Sequence, residues 1–189
     1  MFCKVFSQTD FESDSVKNVL YPEVISQIEN FPTDYDFQLR FWTHGGIAIP
    51  DQKLLVLLSK KNGKWSGSSY QFMYHKRKKY RIISQHPSLL NCDSTWNELK
   101  QNQILELPDM DSLKSKFYFI SEQGDTGKIA VMDGLSYSFE FLTNSKYKRI
   151  EYHCPKAHYS KYTHIPELQY ISTIIGILYR KVGIEWEPC

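Results

Sequence analysis

Two dipeptides restrict the fold of this chain more than any other feature of its sequence: Asn62-Gly63 and Asp133-Gly134. A type I′ turn needs a positive φ at both central residues, which Asn, Asp and Gly tolerate, so each dipeptide predicts a tight hairpin. The segment after each turn alternates aromatic and polar residues, which is typical of a strand with one buried face. The sequence therefore predicts antiparallel β-sheet.

The strand pattern occurs twice. Residues 69–87 (SYQFMYHKRKKYRIISQHP) and 136–155 (SYSFEFLTNSKYKRIEYHCP) share a Ser-Tyr start, a nearby Phe, a Lys-Tyr return and a final proline. Internal repeats decide architecture, so this similarity predicts a duplicated unit. The alternative is a chance similarity between two aromatic-rich strand pairs.

A helix is predicted after each set of strands. Residues 94–105 follow the first set, with Ser94 as a candidate N-cap. After the second set, apolar residues recur at intervals of three and four between Leu168 and Val182, which is the spacing of an amphipathic helix.

These patterns divide the chain into three segments. Residues 35–105 and 116–183 are predicted to form two β-β-β-β-α units. Residues 1–34 form an N-terminal segment with a helix of about ten residues, and Pro22 lies in its first turn. We expect all three segments to belong to one compact α+β domain with an antiparallel β-sheet.

The charge balance limits the partners of the chain. Lys and Arg number 23, Asp and Glu number 21, and a net charge of +2 is too small to attract nucleic acid without local contacts. The apolar runs 54–58 and 174–178 are far shorter than the roughly 20 residues that cross a bilayer. We expect no membrane span, and a cytoplasmic location unless a signal peptide has been removed. The oligomeric state is left open.

Four cysteines lie at positions 3, 92, 154 and 189, and none of them forms a CxxC pair. This spacing fits neither a zinc framework nor a small disulfide scaffold. Free thiols in a reducing compartment are predicted, with a structural disulfide as the alternative.

The densest group of metal-ligating residues lies in the run YHCPKAHYSKYTH and comprises His153, Cys154, His158 and His164. Imidazole and thiolate bind zinc, so a metal-dependent enzyme at His153 and His158 is one alternative function. The spacing matches no ordinary zinc motif, and the sequence contains no P-loop, dinucleotide fingerprint, GxSxG or HExxH motif. We therefore expect no catalytic residue, no metal and no cofactor.

Two carboxylates, Glu140 and Glu151, are predicted to lie on paired strands and could face each other for acid–base chemistry. Lys148 and Arg149 lie close by in the sequence. A cross-strand ion pair explains these carboxylates more simply.

The basic segment from His75 to Lys79 joins two predicted strands at the position that residues 143–146, an ordinary turn, hold in the second unit. Lysines near a sheet edge discourage unwanted strand pairing, so a solvated turn is favoured. The alternative is a nucleic-acid-binding protein whose basic turn Lys76–Lys79 contacts phosphates. The tyrosines that would stack on bases in that case are Tyr70, Tyr74 and Tyr80.

The run DGLSYSFEF…KYKRIEYHCP, between residues 133 and 155, resembles a phrase found in small, poorly characterised bacterial α+β proteins. Its parts are a DG turn, a tyrosine-bearing strand, an acidic position and a KY return strand. The resemblance implies a sheet-rich fold and carries no activity. Two sheet-plus-helix units are also similar to the scaffold of some proteinaceous inhibitors and toxin-neutralising immunity proteins, which bind through an aromatic sheet face. That similarity is one of architecture, which does not fix function.

The 13 tyrosines and 4 tryptophans are more than one modest core hides with every hydroxyl and indole N–H satisfied. Tyr and Trp are frequent interface anchors. We therefore expect a non-enzymatic protein of the immunity or inhibitor type that binds another protein, such as a toxin or an enzyme, through one sheet face. The alternative is that the aromatic residues fill two thin core layers. The predicted binding residues are Tyr70, Tyr74, Arg77, Lys78, Tyr80, Tyr137, Tyr147 and Tyr152.

Overall fold

The structure, a computed structural model, describes residues 20–45, 52–75, 79–86, 91–120, 123–129, 131 and 134–185. It is an α+β fold with an antiparallel β-sheet, as predicted. Its strands are β1 (Phe37–His44), β2 (Gln52–Lys61), β3 (Lys64–His75), β4 (Lys79–His86), β5 (Phe119–Ile120), β6 (Thr126–Gly127), β7 (Ser136–Thr143) and β8 (Tyr147–His153). Its helices are α1 (Pro22–Ile25), α2 (Cys92–Gln101), α3 (Pro155–Lys161) and α4 (Pro166–Lys181), with a 3₁₀ helix at Met110–Lys116.

Six strands form one sheet in the order β4-β3-β2-β1-β7-β8, and every neighbouring pair is antiparallel. The predicted hairpin joins β2 and β3, with φ values of 49° at Asn62 and 78° at Gly63. β1 pairs with β2 on one side and with β7 on the other, so the two halves of the chain meet at β1. β5 and β6 form a separate two-stranded ribbon.

The described part of the second half contains four strands, β5 to β8, as the repeat predicted, but only β7 and β8 belong to this sheet. β5 lies within the strand predicted at 116–121, whereas β6 precedes the strand predicted at 128–132, of which residues 130 and 132 lie outside the described part of the chain. The similar segments 69–87 and 136–155 do contain corresponding hairpins, β3–β4 and β7–β8, which lie at opposite edges of the sheet. The shared hairpin is therefore present, but the two strands before it form a separate ribbon in the second half, whereas β1 and β2 belong to the main sheet.

One face of the sheet, which we call the helix face, packs against α2 and α4. Its core includes Phe41 of β1, Phe139 of β7, Leu99 of α2 and Leu178 of α4. α4 buries the apolar stripe that the sequence predicts. Asn91, and not Ser94, is the N-cap residue of α2. None of the described helices combines the length and hydropathy that crossing a membrane requires.

Residues 20–32, which we call the strap, cover the other face of the sheet, which we call the strap face. Val24 and Ile28 of the strap lie in one buried cluster with Trp42, Leu55 and Phe72. Because both faces are covered, every residue from 38 to 43 in β1 and from 54 to 59 in β2 is buried. Polar side chains on the strap face are therefore enclosed.

The helix predicted in the strap ends after one turn. Pro22 begins α1 as predicted, but α1 covers only four residues. The side chains of Ser26 and Gln27 donate to the Glu23 carbonyl at 3.1 and 2.7 Å. In a longer helix this carbonyl accepts the Gln27 N–H, so the side chains compete with helix continuation.

The described cysteines differ in their state. Cys154, between β8 and α3, is fully buried and disulfide-bonded, whereas Cys92 in α2 is buried and free. The prediction of free thiols is correct for Cys92 and wrong for Cys154. Cys3 and Cys189 lie outside the described residues.

Candidate functional site

Four of the predicted binding tyrosines lie in the core. Tyr70, Tyr137, Tyr147 and Tyr152 are 3%, 0%, 9% and 1% exposed. They lie on strands, as the alternation of aromatic and polar residues predicted, but the strap and the helices cover both faces of those strands. These four residues therefore offer no aromatic surface to a partner, and their assignment to a protein-binding face is wrong.

Two of the three stacking residues of the nucleic-acid alternative are not freely exposed. Tyr70 is buried, and Tyr80 is half-buried beside Lys53, whose Nζ donates to the Tyr80 hydroxyl at 3.0 Å. β3 and β4 pair as far as His75 and Lys79, and residues 76–78 between them lie outside the described part of the chain. Three further predicted residues have side chains outside the described part of the chain: Tyr74, Arg77 and Lys78.

The candidate metal ligands are not brought together. His153 Nδ1 lies 3.1 Å from the Ser136 hydroxyl, and the buried His158 ring lies 5.1 Å from the Phe117 ring. Cys154 is disulfide-bonded and cannot supply a thiolate. Within the described residues, no three His, Cys, Asp or Glu side chains form a group that could hold a metal ion.

A buried carboxylate, Glu140, connects the strap to three strands. It is 0% exposed, and its Oε2 accepts the Trp42 indole N–H at 2.6 Å. Its Oε1 accepts the Tyr147 hydroxyl at 2.9 Å and the Leu20 backbone N–H at 2.8 Å. Burial and the neighbouring carboxylate raise the pKa of Tyr147, so this hydroxyl stays a donor. Sequence reasoning expected an ordinary ion pair at this position and missed its burial.

Arg40 supplies positive charge next to this carboxylate. It is directly opposite Glu140 in the β1–β7 register and is 5% exposed. Its Nε donates to Gln38 Oε1 at 2.6 Å, and its guanidinium lies 5.1 Å from the centre of the Phe31 ring. Burial lowers the pKa of Arg40, and the charge of Glu140 opposes this effect. The two buried charges therefore support each other.

A second set of hydrogen bonds, which we call the polar chain, links five side chains across the strap face. Lys53 Nζ donates to the Tyr21 hydroxyl at 3.0 Å, and that hydroxyl lies 2.5 Å from His44 Nδ1. His44 Nε2 lies 2.7 Å from the Ser138 hydroxyl, which donates to Glu151 Oε1 at 3.2 Å.

The donor and acceptor in each hydrogen bond of the polar chain can be assigned in one consistent way. Ser138 has a single proton, which it gives to Glu151, so it accepts the Nε2–H of His44. Nδ1 then accepts from Tyr21, and Tyr21 accepts from Lys53. Burial, together with the charges of Lys53 and Arg149, lowers the pKa of His44 to about 4. The chain therefore needs a neutral His44, which is its form at neutral pH.

The polar chain holds the strap against the sheet. Tyr21 is its strap residue, and the others come from β2, β1, β7 and β8. Ser138 is 1% exposed, so a substrate does not reach its hydroxyl. The chemistry that this geometry supports directly is pH-dependent attachment of the strap.

An exposed apolar patch lies on the β5–β6 ribbon. The described chain exposes six large hydrophobic side chains, and four of them lie between residues 118 and 129. These four, which we call the ribbon patch, are Tyr118 (43% exposed), Phe119 (38%), Ile120 (67%) and Ile129 (39%). The sequence offered a signal in the run FYFI, where consecutive apolar residues cannot all face one core.

Hydrogen bonds attach the ribbon patch to the residues that follow α3. The Tyr162 hydroxyl, just after α3, accepts the Ile129 N–H at 2.5 Å and donates to the Ile129 carbonyl at 3.0 Å. His164 Nε2 lies 2.9 Å from the Lys116 carbonyl. These contacts hold apolar side chains at the surface on an ordered support.

Comparison with protein-family models, with curated proteins and with solved structures finds no match.

Proposed function

We propose that the chain is a non-enzymatic protein-binding module of the immunity or inhibitor type, and that it contacts its partner through the ribbon patch. The observation that carries this proposal is that four exposed apolar side chains lie in or directly beside one two-stranded ribbon. Exposed apolar residues that are grouped, and not scattered singly, are typical of interaction sites.

The surroundings of the ribbon patch specify the chemistry of the partner. Lys116, Lys128 and Lys161 are exposed and lie beside patch residues or beside the Tyr162 anchor. Lys116 also pairs with Glu167 at 2.5 Å. A partner with an apolar pocket and an acidic rim complements this surface, since rim charges steer association and set register.

The open edge of the sheet is a less suitable contact surface. β4 is an edge strand, and its register passes from Gln71↔Ser84 to Phe72↔Ile82, which leaves Ile83 as the extra residue of a β-bulge. This bulge explains why Ile83 is 45% exposed. Bulges and basic residues at an edge discourage strand addition.

Replacing Ile120 by aspartate is expected to weaken partner binding at least about thirtyfold, because a charge at the centre of an apolar contact removes a hot spot. The matched control is Ile83→Asp, which changes an exposed isoleucine on β4. Affinity capture from a native lysate with wild type and both variants, followed by mass spectrometry, measures the effect. A partner that Ile120→Asp retains, or that both variants lose equally, would contradict the proposed interface.

Replacing Gly127 by alanine is expected to open the ribbon. A Cβ at this position would lie 2.4 Å from Phe119 Cζ, so the ring must leave its place over the backbone. Faster amide hydrogen exchange at Ile120 and Thr126 measures the change, with a loss of global stability below about 1 kcal/mol because the ribbon opens locally. The variant Phe119→Ala, which removes the ring without adding a Cβ at Gly127, should speed exchange at the same amides; unchanged exchange in Gly127→Ala would show that the ring does not hold the ribbon.

A further inference from the structure

A pocket of about 340 Å³ lies between the end of the strap and the strap face of β2, β3 and β4. Leu57 and Ser68 contribute to the sheet side and Asn30 to the strap side. Tyr70 and Gln85, which are opposite each other in the β3–β4 register, complete one wall. The pocket shares no residue with the ribbon patch, which is attached to the residues that follow α3.

Two nearly buried hydroxyls in this pocket have no hydrogen-bond partner among the described residues. Tyr70 is 3% exposed and Ser68 is 7% exposed. Within the described residues, neither hydroxyl makes a hydrogen bond, and neither oxygen is fully enclosed. Both therefore open into the pocket that they line. Because their oxygens are open to the pocket, water in the pocket supplies their hydrogen bonds, and a ligand with hydroxyl groups can replace that water.

The chemistry of the lining selects the class of ligand. No Lys, Arg or His side chain lines the pocket, so it lacks the cation that a phosphate or carboxylate needs. Hydroxyls both donate and accept, and the amides of Asn30 and Gln85 do the same. Glu29 adds one exposed carboxylate acceptor at the mouth, and the half-buried Pro32 provides an apolar surface for C–H groups.

We propose that this pocket binds a neutral, polyhydroxylated small molecule, a mono- or disaccharide. The ligand would exchange hydrogen bonds with Ser68, Tyr70 and the side-chain amides of Asn30 and Gln85. Its carbon ring would contact the apolar surface of Pro32. A volume of about 340 Å³ lies at the small end of ligand sites, which suits one or two sugar rings. The proposal does not depend on the ribbon patch.

The test is a titration of the ¹⁵N-labelled full chain with glucose, galactose, N-acetylglucosamine, maltose and cellobiose, and separately with inorganic phosphate. At least one saccharide is expected to bind with a Kd near about 1 mM, with shift changes centred on the amides of residues 68, 70 and 85. Phosphate is expected to produce no shift changes at these amides.

Variants that remove single hydroxyls complete the test. Tyr70→Phe and Ser68→Ala should each weaken saccharide binding about three- to tenfold, the effect of one lost hydrogen bond. The melting temperatures of both variants should stay unchanged, because neither hydroxyl has a hydrogen-bond partner in the described part of the chain. The matched control Tyr159→Phe, which removes an α3 hydroxyl bonded to Gln169, should bind as wild type does. No binding by any saccharide up to about 50 mM, tighter binding of phosphate, or full affinity in both variants would overturn the proposal.

Discussion

Replacing Glu140 by alanine is expected to lower the free energy of unfolding by about 3–5 kcal/mol, because each buried donor that loses its acceptor costs about 1–3 kcal/mol. Three donors lose their acceptor at once: the Trp42 indole, the Tyr147 hydroxyl and the Leu20 backbone N–H. Arg40 also keeps a buried charge without its neighbouring carboxylate. Urea denaturation followed by tryptophan fluorescence measures the loss.

Two further variants separate the causes of this loss. Glu140→Gln keeps an acceptor of similar shape and removes only the charge, so its destabilisation should fall between wild type and Glu140→Ala. Asp111→Ala, in the 3₁₀ helix Met110–Lys116, removes an exposed carboxylate that pairs with Lys114 at 3.0 Å and should cost less than about 1 kcal/mol. A loss below that value in Glu140→Ala would show that this carboxylate does not connect the strap to the sheet.

The sequence was sufficient for the strand pairing and insufficient for the burial of the strand faces. Asn62-Gly63 specified the β2–β3 hairpin because only a few residues accept its backbone conformation. Alternation in β1 correctly placed Gln38 and Arg40 on one face and Leu39 and Phe41 on the other. It could not show that the strap covers the polar face, where Gln38 is 0% exposed. Burial depends on contacts between residues far apart in the chain, which local periodicity does not contain.

The same limit explains the error in the candidate binding face. Tyr137 and Tyr70 have the spacing of exposed interface residues and of core residues alike. The alternative in which the aromatics fill two thin layers describes these two tyrosines better, since each lies on a covered face. The ribbon patch was missed because the segment 116–121 was interpreted as a strand of the second unit with no exposed apolar surface of its own.

The Cys154 disulfide bears on the location of the protein. Disulfides persist in oxidising compartments and are rare in the cytosol. The disulfide therefore favours an oxidising compartment over the cytoplasmic location that the sequence predicted, and the cytoplasmic location stays a prediction.

Lowering the pH from 6.5 to 4 is expected to destabilise the protein through His44 by about 3 kcal/mol. The pKa of His44 is about 4 in the folded protein, against 6.5 in an unfolded chain. The unfolded chain therefore takes up the proton first as the pH falls. The stabilisation is fully present above pH 6.5, decreases through the interval between the two pKa values, and is lost below about pH 4.

The structural consequence of protonation is the loss of the polar chain. A protonated His44 carries a proton on Nδ1 as well as Nε2, so Nδ1 no longer accepts the Tyr21 hydroxyl, and its charge meets that of Lys53. Amide exchange in the strap should increase over the same pH interval, before exchange in β1 and β7. The variant His44→Gln lacks the titrating group, so its stability should change less than that of wild type between pH 6.5 and 4. Parallel pH dependences for wild type and His44→Gln would show that other groups, such as the carboxylates paired with lysines, cause the acid destabilisation.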